Sequence, residues 1–275
     1  MLIKLIKHEF RATARVMIPL YLVTILLAVM TRVSDLWTKM VTFEGLTGQS
    51  FLALISGIIS VGFALALIAT FVVAVVLTIQ RFRSNLMADE GYVMFTLPVS
   101  THSLVWSKLI VSTVWFLGAV VIDVVAMMTL VADLAMFQEI GRVFEEIARN
   151  LTAYNVGNGI LFLAELVVLF VVVCLVACLD FYAPLAIGHS FGQHKMLLSV
   201  AFFFAIQVAA QIVSGTLLMA GVPYLNSLSL WFSTQAQPMT AVHGMMWGSI
   251  LISVIYGAIL YCLTIRMLHR RLNLE

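Results

Sequence analysis

Residues 196–265, MLLSVAFFFAIQVAAQIVSGTLLMAGVPYLNSLSLWFSTQAQPMTAVHGMMWGSILISVIYGAILYCLTI, contain no Asp, Glu, Lys or Arg. About 20 consecutive apolar residues are enough to cross the hydrocarbon core of a bilayer as a helix, so this stretch has room for two spans. The segment GVPYLNSLSLWFSTQAQPM, residues 221–239, divides it. Its prolines break helices, and its Tyr, Trp and Phe suit the headgroup level. We therefore expect two membrane helices joined by an interfacial loop.

The rest of the chain has the same character. Of its 275 residues 63% are hydrophobic and only 10% are charged, and the mean hydropathy is +1.09. A soluble domain carries about 25% charged residues, so a soluble protein is excluded. We predict an all-α, polytopic membrane protein that forms one transmembrane domain over residues 1–275. Its six transmembrane helices are expected near residues 16–33, 53–79, 104–134, 157–187, 196–220 and 244–267.

The distribution of Lys and Arg predicts the orientation. With six spans, eleven basic residues share a side with both chain ends, and four lie on the other side. The positive-inside rule therefore places both termini in the cytoplasm. The inner set is Lys4, Lys7, Arg11, Arg15, Arg81, Arg83, Lys108, Lys195, Arg266, Arg270 and Arg271, and the outer set is Arg32, Lys39, Arg142 and Arg149. A net charge of +2 is too small to indicate nucleic acid as a partner.

Two segments outside the spans have amphipathic spacing. Residues 1–15, MLIKLIKHEFRATAR, place basic and apolar side chains on separate stripes, which predicts an amphipathic elbow helix at the membrane surface. No small-residue cleavage site follows, so we expect this segment to stay attached to the first span. Residues 138–154 are expected to form an outer amphipathic segment that turns its apolar side chains, Ile140, Val143, Phe144 and Ile147, toward the membrane.

The connection between the second and third spans, residues 80–104, looks too ordered for a plain linker. Residues 83–90 can form two helical turns that end at Gly91, and Pro98 precedes a cap of the third span at Ser100 or Thr101. This helix and turn would expose apolar side chains, Leu86, Met87, Tyr92, Met94 and Phe95, to which a partner protein could bind. The alternative is that these side chains lie among the lipid headgroups.

Three stretches resemble a known family in the same order along the chain. They are KHEFRATARVMIPLYL at residues 7–22, RFRSNLMADEGYVMFTLPVSTHSLVWSKLI at residues 81–110 and YAPLAIGHSFGQHK at residues 182–195. The most specific part is the FTLPVS…SKL core. The chain resembles the permease subunits of type-2 ATP-binding-cassette exporters, in the small bacterial six-span form. The resemblance covers essentially the whole chain.

This resemblance implies a coupling helix between spans 2 and 3 that docks on a separate ATP-binding-cassette ATPase subunit. The docking residues would be Ser84, Leu86, Met87, Asp89, Glu90, Tyr92 and Phe95. The chain has no G-x-x-x-x-G-K-[ST] phosphate loop, so ATP and Mg would bind the partner and this chain would not itself be an enzyme. The family further implies a homodimer, or a heterodimer with a related permease, in the bacterial cell membrane. We expect no cofactor and no metal on this chain.

Four carboxylates fall inside the predicted spans: Asp123, Asp133, Glu165 and Asp180. No Lys or Arg occurs at residues 109–141 or 150–194, so these carboxyl groups must be protonated, hydrated or hydrogen-bonded. We assign Asp123 and Glu165 to a polar translocation path. Asp133 and Asp180 are expected nearer the span ends, in contact with headgroup water.

Three functions remain open at this stage. The first is the membrane subunit of an ATP-driven exporter that moves an amphiphilic, peptide, lipid-like or drug-like substrate out of the cytoplasm. The second is a proton-coupled secondary carrier that uses Asp123 or Glu165 as its proton site. The third is a membrane scaffold without transport. The absence of sequence-related halves and the apolar cytoplasmic segment favour the first.

Overall fold

The computed structural model describes residues 2–40, 46–87, 91, 96, 98–130, 138, 139, 141, 142, 145, 146, 149, 156–191, 194–234 and 238–270. This part of the chain contains six long α-helices and no strand. They are α1 (Leu2–Met40), α2 (Leu46–Met87), α3 (Thr101–Leu130), α4 (Val156–Gly188), α5 (Lys195–Thr234) and α6 (Pro238–Arg270). Each is long and apolar enough to cross a membrane. The prediction of an all-α, multi-pass membrane protein is therefore confirmed.

Helix α1 includes the described part of the segment that was predicted to form an amphipathic elbow helix. It runs without a break from Leu2 to Met40, with Pro19 inside it. At 1.5 Å per residue its 39 residues reach about 58 Å, so about half of it must extend beyond a hydrocarbon core of about 30 Å. The elbow helix predicted at residues 1–15 stays a prediction, and the described part of it is continuous with the first span in one helix.

Helix α5 extends further than expected. It continues to Thr234, through most of the segment that was expected to be an interfacial loop. Residues 235–237 lie outside the described part of the chain. Helix α6 then begins at Pro238, and proline is favoured at the first position of a helix because no intrahelical partner is needed for its missing N–H. The loop prediction was therefore wrong for residues 221–234.

The chain divides into two compact units. The first, here called the N-terminal unit, comprises Ile3–Thr78 and Ile110–Val143. The second, the C-terminal unit, comprises Met1–Leu2, Ile79–Leu109 and Phe144–Glu275. The boundaries fall within α2 and α3, so each of these helices contributes to both units.

In the N-terminal unit, α1 and α3 run in the same direction. Trp115 Nε1 donates a hydrogen bond to Thr13 Oγ1 at 2.7 Å, and farther along both helices Arg32 Nη1 donates to the Leu130 carbonyl at 3.1 Å. The Arg32 contact also places a positive charge at the negative end of the α3 dipole. The two contacts show that α1 and α3 are parallel.

Helix α2 runs in the opposite direction to α3. Phe71 packs against Phe116 with ring centroids 5.7 Å apart, and Phe63, which lies earlier in α2, packs in a buried cluster with Ala126, which lies later in α3. The order of the contacts is thus reversed between the two helices. The three helices of this unit alternate in direction, as successive crossings of a membrane require.

The C-terminal unit shows the same alternation. Between α4 and α5 the contacts run in opposite order, from Phe181 stacked on Phe203 to Gly188 against Ser199. Between α4 and α6 they run in the same order, and the side chains that make them are described below. Gly188 lies so close to the Ser199 backbone that a methyl group there would overlap it. A glycine is therefore required where α4 and α5 approach each other.

Two local predictions can be compared with the structure. Ser100 caps α3, since its Oγ accepts from the Ser103 N–H at 3.3 Å, which confirms the predicted cap. In the outer segment the described residues between 138 and 149 are helical, and Arg142 pairs with Glu139 at 3.1 Å on the exposed surface. The four apolar residues expected to face the membrane from this segment lie outside the described residues.

Candidate functional site

A largely buried polar contact in the C-terminal unit joins Glu165 of α4 to His243 of α6. His243 Nδ1 lies 2.7 Å from Glu165 Oε2, a distance typical of a charge-assisted hydrogen bond. The Glu165 side chain is 3% exposed and the His243 side chain 14% exposed. The pair is therefore almost completely removed from the surroundings of the protein.

Each member of this pair also keeps one polar atom without a partner. Glu165 Oε1 and His243 Nε2 are both buried, and no described residue hydrogen-bonds either of them. A buried polar atom that is left unpaired costs about 1–3 kcal/mol, so such atoms usually have a reason to persist. These two atoms leave the pair able to accept or release a proton, or to bind a small polar group.

Asp180 has a different environment on the same helix. The Tyr256 hydroxyl of α6 donates to Asp180 Oδ1 at 2.6 Å, and the Gln207 side chain of α5 also hydrogen-bonds this carboxyl group. Together with Glu165 and His243, this contact shows that α4 and α6 advance in the same direction, so they are parallel. Asp180 therefore ties the three helices of the C-terminal unit together through neutral donors.

Asp123 lies in the N-terminal unit, beside Thr70 of α2. Thr70 Oγ1 is 2.9 Å from both carboxyl oxygens of Asp123 and 2.7 Å from the carbonyl oxygen of Leu67. A threonine hydroxyl has one proton to donate, so it cannot donate to Leu67 and to the carboxylate at once. The Thr70 hydroxyl can therefore donate either to Leu67 or to the Asp123 carboxyl group, and it can contact both groups through hydrogen bonds only if one Asp123 oxygen carries a proton and donates it to Thr70 Oγ1.

Three of the four intramembrane carboxyl groups, which were expected to be protonated, hydrated or hydrogen-bonded, have hydrogen-bond partners in the structure. Asp123, Glu165 and Asp180 each contact a polar side chain of another helix, while Asp133 lies outside the described residues. Sequence reasoning missed His243, because it searched for Lys and Arg partners only. A histidine inside a long uncharged stretch was the signal that could have identified it.

Of the seven residues predicted to dock an ATPase, three lie in α2 and four lie outside the described part of the chain. Ser84, Leu86 and Met87 belong to the last turns of α2 rather than to a separate helix. Leu86 is 0% exposed and Met87 is 5% exposed, so the expectation that they form an exposed apolar cluster was wrong. Ser84 is half-buried. The other four predicted docking residues, Asp89, Glu90, Tyr92 and Phe95, lie outside the described part of the chain.

The end of α2 is buried because it packs within the C-terminal unit. The Phe82 ring stacks on Tyr182 of α4 with centroids 4.0 Å apart, and both side chains are fully buried. Arg83 reaches Met196 of α5, with Nη1 3.6 Å from the sulfur. Gly91 is also buried and helical. The start of the predicted coupling segment is therefore attached to α4 and α5.

His189 occupies the turn after α4, beside the same helix end. Its side chain is 6% exposed, and Nδ1 lies 3.0 Å from the Leu185 carbonyl oxygen. Burial lowers the pKa of His189, and the positive charges of Arg83 and Lys195 lower it further, against the raising effect of the Leu185 hydrogen bond. His189 is therefore held in its neutral form.

The remaining chemistry of the described residues is limited. No group of three or more His, Cys, Asp or Glu side chains in this part of the chain could hold a metal ion. Cys174 and Cys178 are buried and Cys262 is exposed, and all three are free thiols. Comparisons with known proteins found no matching family model, no matching curated protein and no matching solved structure.

Proposed function

We propose that the chain is the membrane-spanning subunit of an ATP-driven exporter, and that its energy comes from a separate ATPase subunit. The observation that carries this proposal is the placement of the segment between α2 and α3. Both of its flanks, residues 79–87 and 101–109, belong to the C-terminal unit, although the remainder of α2 and α3 belongs to the other unit. A protein bound to this segment would therefore act on α4, α5 and α6.

The contacts at the two flanks supply the mechanical link. Phe82 stacks on Tyr182 at the end of α2, and His102 Nδ1 lies 2.7 Å from the Tyr261 hydroxyl at the start of α3. A displacement of the segment would be transmitted through these side chains to α4 and α6. This is the arrangement that an exporter needs if ATP is used by another chain and transport occurs in the membrane.

The transported substrate in this proposal is amphiphilic: a peptide, a lipid-like molecule or a drug-like molecule. The described spans are apolar apart from isolated polar side chains, so they suit a ligand that is mostly apolar with a few polar groups. The residues assigned to the path remain Asp123 and Glu165. We place the protein in the bacterial cell membrane with both termini in the cytoplasm, on the distribution of Lys and Arg.

A second permease chain would complete the assembly. Gln211 lies 16 residues into α5, about 24 Å from its start, and its side chain is exposed in the single chain. An amide without partners in lipid is costly, so we infer that a second copy of this chain or a related permease covers α5 there. Gln211→Cys in a Cys262→Ser background should form a disulfide-linked dimer, whereas Leu22→Cys on the exposed side of α1 should not.

The experiment that tests the exporter proposal measures ATPase recruitment. Tyr92→Asp combined with Phe95→Asp should abolish co-purification of an ATPase with the full chain and leave membrane insertion intact. Met87 is left unchanged, because a charge at this buried position would disturb folding. Ile3→Asp is the matched control, since Ile3 is 81% exposed and lies outside the segment. Undiminished ATPase binding in the double variant would refute the assignment of the docking site.

A second function is favoured by one observation, the contact between Glu165 and His243. This pair is buried, contains two titratable groups and keeps two polar atoms without described partners, which are properties of a proton site in a secondary carrier. In reconstituted vesicles a carrier would respond to an imposed pH gradient without ATP, and Glu165→Gln would abolish that response. An ATP-driven exporter should retain ATP-dependent transport in Glu165→Gln and in Asp123→Asn.

A further inference from the structure

A cavity of about 290 Å³ opens in the C-terminal unit between the start of α3 and the last turns of α6. It is lined by His102, Tyr261, Cys262, Ile265, Arg266 and His269. Binding sites for drug-sized ligands occupy about 300–1,000 Å³, so this cavity is at the lower end of that range. Its size therefore suits a small polar headgroup better than a large substrate.

The lining of the cavity has the chemistry of an anion site. Arg266 contributes a guanidinium group, which matches the geometry of a phosphate with two parallel N–H donors. His102 and His269 add two imidazole groups, and the six lining residues in the described part of the chain include no carboxylate. The cavity therefore combines a permanent positive charge with further donors and has no negative charge of its own.

The position of His102 adds backbone donors. Helix α3 begins at Thr101, and its Ser100 cap accepts the Ser103 N–H, so the N–H groups of Thr101 and His102 have no acceptor within the helix. The start of a helix also carries the positive end of the helix dipole, which favours anions. The 2.7 Å hydrogen bond between His102 Nδ1 and the Tyr261 hydroxyl fixes the imidazole ring and leaves Nε2 for a ligand.

We propose that this cavity binds a phosphate group, with Arg266, His102 and His269 as its side-chain donors. The phosphate can belong to an anionic phospholipid headgroup, since the cavity lies at one end of two membrane spans, or to a soluble phosphate. In both cases the recognised chemistry is the same. The test of this proposal is separate from that of ATP-driven export, because none of the residues expected to dock an ATPase lines the cavity, although His102 lies at the end of the same connection.

Cys262 provides a direct measure of occupancy. It lines the cavity and is exposed, whereas Cys174 and Cys178 are buried, so a neutral maleimide should label Cys262 first. The full chain is reconstituted in vesicles of phosphatidylcholine, with or without phosphatidylglycerol, and the rate of Cys262 labelling is followed by mass spectrometry. A third sample contains phosphatidylcholine vesicles with added inorganic phosphate, and chloride at equal ionic strength is its control.

We expect phosphatidylglycerol to slow the labelling of Cys262 about fivefold, the ratio that corresponds to one cationic side chain at an anionic membrane surface. Arg266→Gln should abolish this protection and Arg266→Lys should retain most of it. Arg83→Gln is the matched control, because it removes one exposed positive charge from the same unit without touching the cavity. Any general effect of the anionic membrane on thiol reactivity would be equal in Arg266→Gln and Arg83→Gln.

The outcomes separate the two sources of phosphate and can overturn the proposal. Protection by phosphatidylglycerol alone supports a phospholipid headgroup, and protection by inorganic phosphate in neutral vesicles supports a soluble ligand. The proposal is wrong if neither compound slows the labelling of the unmodified chain. It is also wrong if the protection is the same in Arg266→Gln as in Arg83→Gln.

Discussion

The contact between Glu165 and His243 allows a quantitative test of what holds α4 to α6. A double-mutant cycle with Glu165→Leu, His243→Leu and the combined variant measures the coupling free energy between the two side chains. Glu165 is buried and the His243 side chain is only 14% exposed, so the measurement reports an interaction that is little screened by solvent. The coupling isolates the interaction between these two side chains from the other contacts of α4 and α6.

The expected magnitude depends on the state of the pair. Removing one partner of a buried ion pair costs about 3–5 kcal/mol, whereas replacing both partners by apolar side chains is often neutral or stabilising. Neutral hydrogen bonds between membrane helices contribute only about 0.6 kcal/mol on average, and at most about 1.7 kcal/mol. A charged pair should therefore give a coupling of at least about 2 kcal/mol, which is more than neutral hydrogen bonds between membrane helices reach.

The assay is reversible unfolding in mixed detergent micelles, followed by tryptophan fluorescence. Tyr256→Phe is the internal comparison, because it removes a neutral donor to Asp180 between the same two helices and should cost no more than about 1.7 kcal/mol. A coupling below about 1 kcal/mol between Glu165 and His243 would refute the ion pair.

Three further outcomes follow from the described residues. Gly188→Ala should destabilise the protein by about 1–3 kcal/mol through overlap with the Ser199 backbone, whereas Gly62→Ala in α2, where the space is open, should be neutral or stabilising; the same unfolding assay measures both. The folded state lowers the pKa of His189, so the stability gained from its neutral form is present above the ordinary histidine pKa of about 6.5 and is lost as the pH falls below it. Unfolding measured across this pH range should therefore show a steeper loss in the unmodified chain than in His189→Asn. Reporter fusions at Glu275 should be active only with a cytoplasmic reporter, and activity of a periplasmic reporter there would contradict the predicted orientation.

The number and approximate positions of the spans could be predicted because they depend on local sums of hydropathy. The Ser100 cap could be predicted for the same reason, since it depends on a few neighbouring residues. The extent of α5 could not, because the expected loop was based on the rule that Pro and polar residues break helices in water. The structure instead continues α5 through these residues to Thr234, beyond the segment Lys195–Leu217 that is apolar enough to span the membrane.

The contacts between helices could not be predicted from the sequence, for a different physical reason. Whether Glu165 meets His243 depends on the relative register of α4 and α6, which apolar side-chain packing determines and which no local pattern encodes. The burial of Leu86 and Met87 is of the same kind. Their exposure was predicted because they were assigned to the connection between two spans, whose course the sequence does not determine. In the structure they continue α2, and its end packs within the C-terminal unit, where Phe82 stacks on Tyr182.

The strength of the Glu165–His243 contact bears directly on how the molecule could move. With a coupling of about 3 kcal/mol, the two side chains are apart in roughly one molecule in 150. Each 1.36 kcal/mol of free energy changes this population by a factor of ten. Helices α4 and α6 would then move as one body, together with the segment between α2 and α3 that is attached to their unit. Motion of α4 against α6 would instead require a proton to bind the Glu165 carboxylate, which removes the attraction between opposite charges and weakens the contact. Export driven by an ATPase bound to the segment between α2 and α3 is compatible with α4 and α6 moving as one body. Proton-coupled transport requires α4 to move against α6.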